Sequence, residues 1–272
     1  MQLSSEDIDY LIDTVDEACV KIMQVYEAGF AVSSKKDASP VTHADVLANQ
    51  ILVDALQLRW PEIPVLSEES TDAKLTRDSH CYWAIDPLDG TKEFIQKNNQ
   101  FTVNLALVLN GEPVFGIVAA PALGSFYCGG IGLGASKRVD SVWHTLGETG
   151  LEPEWSNPLA PIRVAVSRSH PSPELNNWLM HYCNHQLHEL GSSLKLCHVA
   201  EGLVDCYPRL TPTCIWDIAA GQAILRAVSG EVWVWPIDER NPLRYFDPTQ
   251  IINPSFMATG LYTRRGNDKI KI

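Results

Sequence analysis

Apolar and polar positions follow two rhythms along this chain. Near the start, Ile8, Leu11, Ile12, Val15, Cys19, Ile22 and Tyr26 recur at helical spacing, giving one face for a core and one for water. Ser4 or Ser5 can cap that helix and Gly29 can end it. A second helix is predicted from Thr42, which has capping-box spacing to Asp45, through Ile51, Leu52, Ala55 and Leu56 to Pro61. The rhythm then changes. Tyr82-Trp83-Ala84-Ile85 reads as a short buried strand, and Asp86-Pro87-Leu88-Asp89-Gly90-Thr91 as a tight turn into a new helix. Phe101 to Leu109 and Val114 to Ala119 are apolar, β-rich runs joined at Asn110-Gly111, a hairpin signal, so the first half contains an antiparallel sheet. The glycines of Gly129-Gly130-Ile131-Gly132-Leu133-Gly134 do not fit the dinucleotide pattern G-x-G-x-x-G and no helix pattern follows, so a hairpin turn is expected there.

The polar, Pro-containing stretch from Gly147 to Pro161 suits a boundary between two subdomains, an α+β unit over 1–150 and an α/β unit over 151–272. Beyond it the pattern predicts a strand at Arg163 to Ser167 and helices at about Pro173 to Tyr182 and Ser193 to Glu201. A strand near Val204 to Tyr207, a helix from Asp217 to Val228 and a strand from Glu231 to Trp235 complete the alternation expected of a layered α/β half.

Composition narrows the function. Of 272 residues 45% are hydrophobic and 20% charged, enough apolar material for a substantial core. There is no apolar run of about 18 residues and no basic, apolar leader, so a cytosolic chain is expected. The seven cysteines are scattered and never spaced as Cys-x-x-Cys, which points to reduced, mostly buried thiols. A net charge of −12 argues against a duplex nucleic-acid binder. A small anionic ligand stays compatible only if cations reverse the local field.

Asp86-Pro87-Leu88-Asp89-Gly90-Thr91 concentrates two carboxylates and a backbone carbonyl on one turn. Oxygen donors at that density suit Mg²⁺, and Gly90 and Thr91 open a helix whose free N–H groups can hold a phosphate oxygen. The same hexapeptide also suits an ordinary turn with Asp at its corners. Glu68, after Val65-Leu66, would stand at another strand end, although Glu68-Glu69 also suits a solvated face. Asp217 precedes a helical run whose dipole alone would favour it.

Together, Trp83-Ala84-Ile85-Asp86-Pro87-Leu88-Asp89-Gly90-Thr91 and Trp216-Asp217-Ile218-Ala219-Ala220-Gly221 resemble the two signature motifs of the inositol monophosphatase superfamily of lithium-sensitive, Mg²⁺-dependent phosphatases. Within it the chain is similar to the CysQ-type 3'(2'),5'-bisphosphate nucleotidases. That similarity runs through Lys36-Asp37-Ala38-Ser39-Pro40-Val41-Thr42, Leu66-Ser67-Glu68-Glu69, Thr91-Lys92-Glu93-Phe94-Ile95 and Ser167-Arg168-Ser169-His170. It continues through Gly191-Ser192-Ser193-Leu194-Lys195, Val199-Ala200-Glu201-Gly202 and Tyr207-Pro208-Arg209.

The resemblance implies a layered αβαβα sandwich of the sugar-phosphatase type with the active site between its halves. It implies two or three Mg²⁺ ions held by Glu68, Asp86, Asp89, Asp217 and the Leu88 carbonyl. Thr91 and Asp45 match the pair that orients and activates the attacking water, beside Glu68, and either Lys35 or Lys36 matches a mobile-loop lysine. Such ions would activate water and stabilise the leaving alkoxide in an in-line displacement, with no covalent enzyme intermediate.

Lys195 and Arg209 are cations for a second phosphate if the helix start and strand end that carry them face the cleft. Otherwise both are surface groups. The expected substrate is therefore adenosine 3',5'-bisphosphate, giving AMP, with 3'-phosphoadenylyl sulfate as a relative of it. Substrate contacts are expected from Glu68, Leu88, Asp89, Gly90, Thr91, Ser192, Lys195, Arg209 and Asp217. Inositol or sugar phosphates are the alternative substrates, and a nucleotide or metal sensor on the same scaffold is the non-enzymatic alternative. The presence of Asp45, Glu68, Asp86, Asp89, Thr91 and Asp217 together counts against a sensor. Ser192-Ser193-Leu194-Lys195 also fits the Ser-x-x-Lys of acyl-enzyme hydrolases, but the companion motifs are missing. His181, Cys183, His185 and His188 have spacing for a zinc site on a helix, against a plain polar surface. The resemblance leaves two locations open, free in the cytoplasm or peripheral on the inner face of a bacterial membrane, and oligomeric state is not legible.

Overall fold

The structure is a computed structural model that describes residues 1–29, 32–34, 40–70, 72–147, 161–168, 172–180, 184–236 and 241–260. The chain begins with α1 (Ser5–Ala28), β1 (Val32–Ser34), β2 (Pro40–Thr42) and α2 (His43–Arg59). Thr42 caps α2 in a reciprocal box with Asp45, as the spacing predicts, and of Ser4 and Ser5 it is Ser4 that caps α1, in an unforeseen box with Asp7. Next come β3 (Val65–Ser67), β4 (Cys81–Asp89), α3 (Thr91–Ile95), β5 (Thr102–Leu109) and β6 (Glu112–Ala120). A meander follows, with β7 (Ser125–Gly130), β8 (Gly134–Val139) and β9 (Val142–Thr145). The second half holds β10 (Ile162–Ser167), α4 (Pro173–Leu179), β11 (His185–Leu190), α5 (Leu194–Ala200) and β12 (Cys206–Arg209). It ends with β13 (Thr213–Cys214), α6 (Ile215–Ala227), β14 (Glu231–Val234), β15 (Ile252–Asn253) and β16 (Phe256–Thr259).

These elements stack as αβαβα. A seven-stranded sheet runs β3 to β9 in sequence order, parallel only between β3 and β4. A five-stranded sheet has the order β11-β10-β12-β16-β14. Period-two alternation sorts side chains into three cores. On β4, Trp83 and Ile85 join the core under α1 and α2, while Tyr82 and Ala84 join the core around α5 and α6. On β10, Ala165 faces that same middle layer, and Val164 and Val166 pack with Trp178 and Leu179 of α4 on the far side. The middle layer is drawn tight by small residues. A Cβ on Gly116 of β6 would lie 2.3 Å from the Ala220 carbonyl oxygen of α6, so only glycine permits this approach.

Several expectations are corrected. β4 runs through Asp89 as an irregular strand instead of ending in a tight turn at Asp86, and α3 has only five residues. α6 begins at Ile215, which places Asp217 inside its first turn. The strand near Val204 is displaced to Cys206–Arg209. His185 and His188 lie on β11, parallel to β10, so the zinc-binding helix does not form there, and residues three apart on a strand face opposite sides. His181 and Cys183 lie outside the described residues, as do Lys35, Lys36, Ser169, His170 and most of the 147–161 boundary. Among the described residues the cysteines are free, and no helix is long and apolar enough to cross a membrane.

Candidate metal centre and active site

A strand irregularity and a helix start bring the acids together. β4 pairs with β5 in register up to Asp86 opposite Asn104, then resumes at Asp89 opposite Thr102. Three steps on one strand against two on the other leave one extra residue, a bulge. In a regular strand Asp86 and Asp89 would face opposite sides, and the bulge turns both toward one cavity. The Leu88 amide folds back onto Asp86 Oδ1 at 3.0 Å. Asp217 comes from α6, where its Oδ2 accepts the Cys214 amide at 2.7 Å and closes the helix cap.

One oxygen from each of Asp86, Asp89 and Asp217 lies within 4.8 Å of the others. Asp86 is buried, and Asp89 and Asp217 open partly to the cavity. Burial, reinforced by the charges of Glu68, Asp89 and Asp217, holds the Asp86 carboxyl well above the usual carboxylate range. Burial and Asp89 push Asp217 up to about 8. Like charges gathered this closely need protons or a cation between them. The donor set is all oxygen, which fits a hard divalent ion such as Mg²⁺. Glu68, just past β3, lines the same cavity and its charge acts on Asp86 and Asp217, but it is not one of the three acids that converge within 4.8 Å; its amide meets the Ile85 carbonyl at 3.3 Å. The Leu88 carbonyl oxygen lies 3.4 Å from Thr91 Oγ1, where it is one of two acceptors within reach of the single Thr91 hydroxyl hydrogen.

Behind these acids stand Thr91 and Asp45. Thr91 Oγ1 lies 3.4 Å from Asp45 Oδ1, while Asp45 Oδ2 takes the Thr42 amide at 2.8 Å and the Thr42 hydroxyl at 2.6 Å. One carboxylate oxygen thus caps α2 and the other faces Thr91.

A cavity of about 560 Å³ joins the acids to Lys195 and Arg209. Glu68, Asp86, Leu88, Asp89, Gly90, Thr91, Ser192, Lys195, Arg209 and Asp217 all line it. Lys195 is no surface cation: it is 5% exposed, donates to the Leu190 and Ser192 carbonyls at 3.3 and 2.6 Å, and sits over the Tyr207 ring. Burial lowers it to about 8. Arg209 Nη2 reaches the Pro212 carbonyl at 3.3 Å, and its buried Nε has no hydrogen-bond partner among the described residues. Two residues passed over in the sequence are Thr102 and Asn104, fully buried on β5 opposite Asp89 and Asp86. Their signal was polar residues at alternate positions of an otherwise apolar strand.

Comparison with known proteins shows the family and the fold. Residues 4–261 match the inositol monophosphatase family. The chain is 40% identical to the 3'(2'),5'-bisphosphate nucleotidase CysQ of Escherichia coli K12 over 93% of its length and 99% of that protein's. It is 41% identical to the Salmonella typhimurium CysQ over 88% of this chain and 93% of that one. The crystal structure of CysQ from Bacteroides thetaiotaomicron superposes with a TM-score of 0.75 at 37% identity, covering 94% of this chain and 97% of that one. The chain therefore belongs to the inositol monophosphatase family, whose fold and metal-dependent phosphatase chemistry its clustered acids match.

Proposed function

We propose that this protein is a Mg²⁺-dependent 3'(2'),5'-bisphosphate nucleotidase that removes the 3'-phosphate of adenosine 3',5'-bisphosphate, yielding AMP and phosphate. 3'-Phosphoadenylyl sulfate, which carries the same 3'-phosphate, is a second substrate. The observation that carries this reading is one cavity lined both by converging carboxylates and by two cations, Lys195 and Arg209. An inositol monophosphate has nothing for the second pair to neutralise. Arg209 Nε, buried without a partner among the described residues, calls for an anionic acceptor.

Glu68, Asp86, Asp89, Asp217 and the Leu88 carbonyl would hold the metal, and the four carboxylates balance two divalent ions. Bound Mg²⁺ supplies activation of water and charge stabilisation at the phosphate. The chain's own groups do the rest. Thr91 donates to Asp45 Oδ1 and so turns its lone pair toward an attacking water. The proton passes to Thr91 Oγ1 and on to Asp45, which the Thr42 amide and hydroxyl keep from rotating. Lys195 has spent two of its three N–H groups on carbonyls and keeps one for substrate.

The exposed face of α1 carries Glu6, Asp9, Asp13 and Glu17, which anionic headgroups repel. That favours an enzyme free in the cytoplasm over one seated on the membrane.

The test is phosphate release from adenosine 3',5'-bisphosphate and from inositol 1-phosphate, with Mg²⁺ and with chelator. We expect Mg²⁺-dependent turnover with kcat/KM higher for the nucleotide, and in Arg209→Ala a KM at least about tenfold higher for the bisphosphate. A preference for inositol phosphate would overturn the substrate.

A further inference from the structure

Thr102 and Asn104 bury two polar side chains on a strand whose neighbouring Ala106 and Val108 belong to the apolar core. Buried polar groups are costly unless their hydrogen bonds are complete, and here the bonds lead into the Gly191–Ser193 turn, whose Ser192 and Ser193 line the cavity. Ser192 in that turn has φ of 53°, the left-handed region a serine rarely adopts. Gln100 Oε1 holds the Gly191 amide at 2.8 Å, and Lys195 holds the Ser192 carbonyl.

The direction of every bond in this group is forced by valence. Asp89 Oδ2 and the Asp217 carbonyl can only accept, at 3.1 and 2.7 Å from Ser193 Oγ, so the single Ser193 hydroxyl hydrogen points at them. Asn104 must then present Nδ2 to Ser193 Oγ at 2.9 Å, and the Trp216 carbonyl 3.4 Å away requires the same orientation. Asn104 Oδ1 is left to accept from Thr102 Oγ1 at 2.9 Å. Thr102 has then used its hydrogen, so Ser192 donates in the close hydroxyl pair between them. Ser192 Oγ in turn accepts the Ser193 amide at 2.6 Å. A one-way chain thus runs from the turn through β5 and back to a carboxylate of the metal centre.

We propose that Asn104 is a positioning residue for the metal centre. By fixing the direction of this chain it holds the Ser193 hydroxyl hydrogen between the Asp217 backbone carbonyl and Asp89 Oδ2, which restrains that carboxylate and leaves its other oxygen to the ion. It also ties β5 of one half to α6 of the other at the point where their acids meet. The inference rests on the metal-dependent reading above. Groups that orient ligands in this way change metal affinity or activity by about 10- to 100-fold when removed.

Direct Mn²⁺ titration followed by electron paramagnetic resonance, without substrate, tests it on the full chain. Asn104→Leu and Ser193→Ala are each expected to weaken Mn²⁺ binding about tenfold, and the double variant no more than either alone, because both break one chain. Thr102→Val, nearly isosteric, frees the Asn104 amide to flip, and its smaller loss should vanish in the Ser193→Ala background. That pair serves as the cycle should Asn104→Leu fail to fold. Losses that add, or Mn²⁺ affinity within about twofold of wild type in the single variants, overturn the proposal. The readout is independent of which phosphate ester is hydrolysed.

Discussion

Asp217→Asn is expected to make the metal-free protein more stable while removing its use for metal. Asp217 is held up to about 8 in the fold against an ordinary 3.8, because it is set deep in the protein beside Asp89 and Glu68. At neutral pH the unfolded chain ionises this group and the folded chain keeps it protonated. Each unit between the two values costs about 1.4 kcal/mol, so at pH 7 the fold carries a penalty on the order of 4 kcal/mol. Asparagine keeps the acceptor for the Cys214 amide and gives its own hydrogens to the neighbouring carboxylates. Its side chain opens partly to the cavity and shares its field with Asp86, so we take about half, roughly 2 kcal/mol. That is worth about 4 °C or more in Tm for a chain of this size.

The pH sign follows from proton uptake. Between 3.8 and about 8 the native state binds more protons at Asp217 than the unfolded state, so wild-type stability falls as pH rises through that window. The variant lacks this slope, so its advantage should be largest near pH 8 and small near pH 4. Calorimetric melting in chelator across that range measures it. Added Mg²⁺ at about 100 times its Kd should then raise wild-type stability by about 2.7 kcal/mol and leave the variant nearly unmoved. A variant less stable than wild type in chelator at neutral pH, or a gain that does not change with pH, would refute the reasoning.

Asp86→Asn should lower kcat at least about 10²-fold, since it removes the most buried carboxylate of the cluster; steady-state kinetics at saturating Mg²⁺ report it. Asp45→Asn should lower kcat by about 10² while leaving Mn²⁺ affinity near wild type, because Asp45 serves the water and not the ion; loss of Mn²⁺ binding would move it into the metal shell. Gly116→Ala should destabilise by about 2 kcal/mol or more in urea unfolding, because its Cβ meets the Ala220 carbonyl at 2.3 Å and the backbone of α6 must give way.

Local chemistry made much of this molecule readable. α1 and α2 announce themselves by apolar spacing, and the box that Thr42 forms with Asp45 appears as expected, whereas the choice of Ser4 over Ser5 and its pairing with Asp7 came from the structure. The acids were legible as motifs, yet the reason Asp86 and Asp89 share a cavity was not. That depends on the register slip against β5, which no single strand encodes. β8 and β9 escaped notice because their residues are mostly half-buried or exposed and carry no clear alternation. β11 escaped for a related reason: its outer face is polar, and its histidines suggested a helix. Asn104 was missed because an apolar run invites reading its one amide as noise, whereas its partners lie 89 and 112 residues away.

The helical layer between the two sheets has a mechanical consequence. α6 touches β4, β5, β6 and β7 on one side and β14 on the other, and Gly116 leaves no slack beneath it. A shear of one half past the other would drag Asp217 away from Asp86 and collide backbone with backbone before any useful gap opened. The rim of the cavity, by contrast, includes the narrow β13–β15 ribbon, which contributes Thr213, Cys214 and Ile252 and is held by two paired positions.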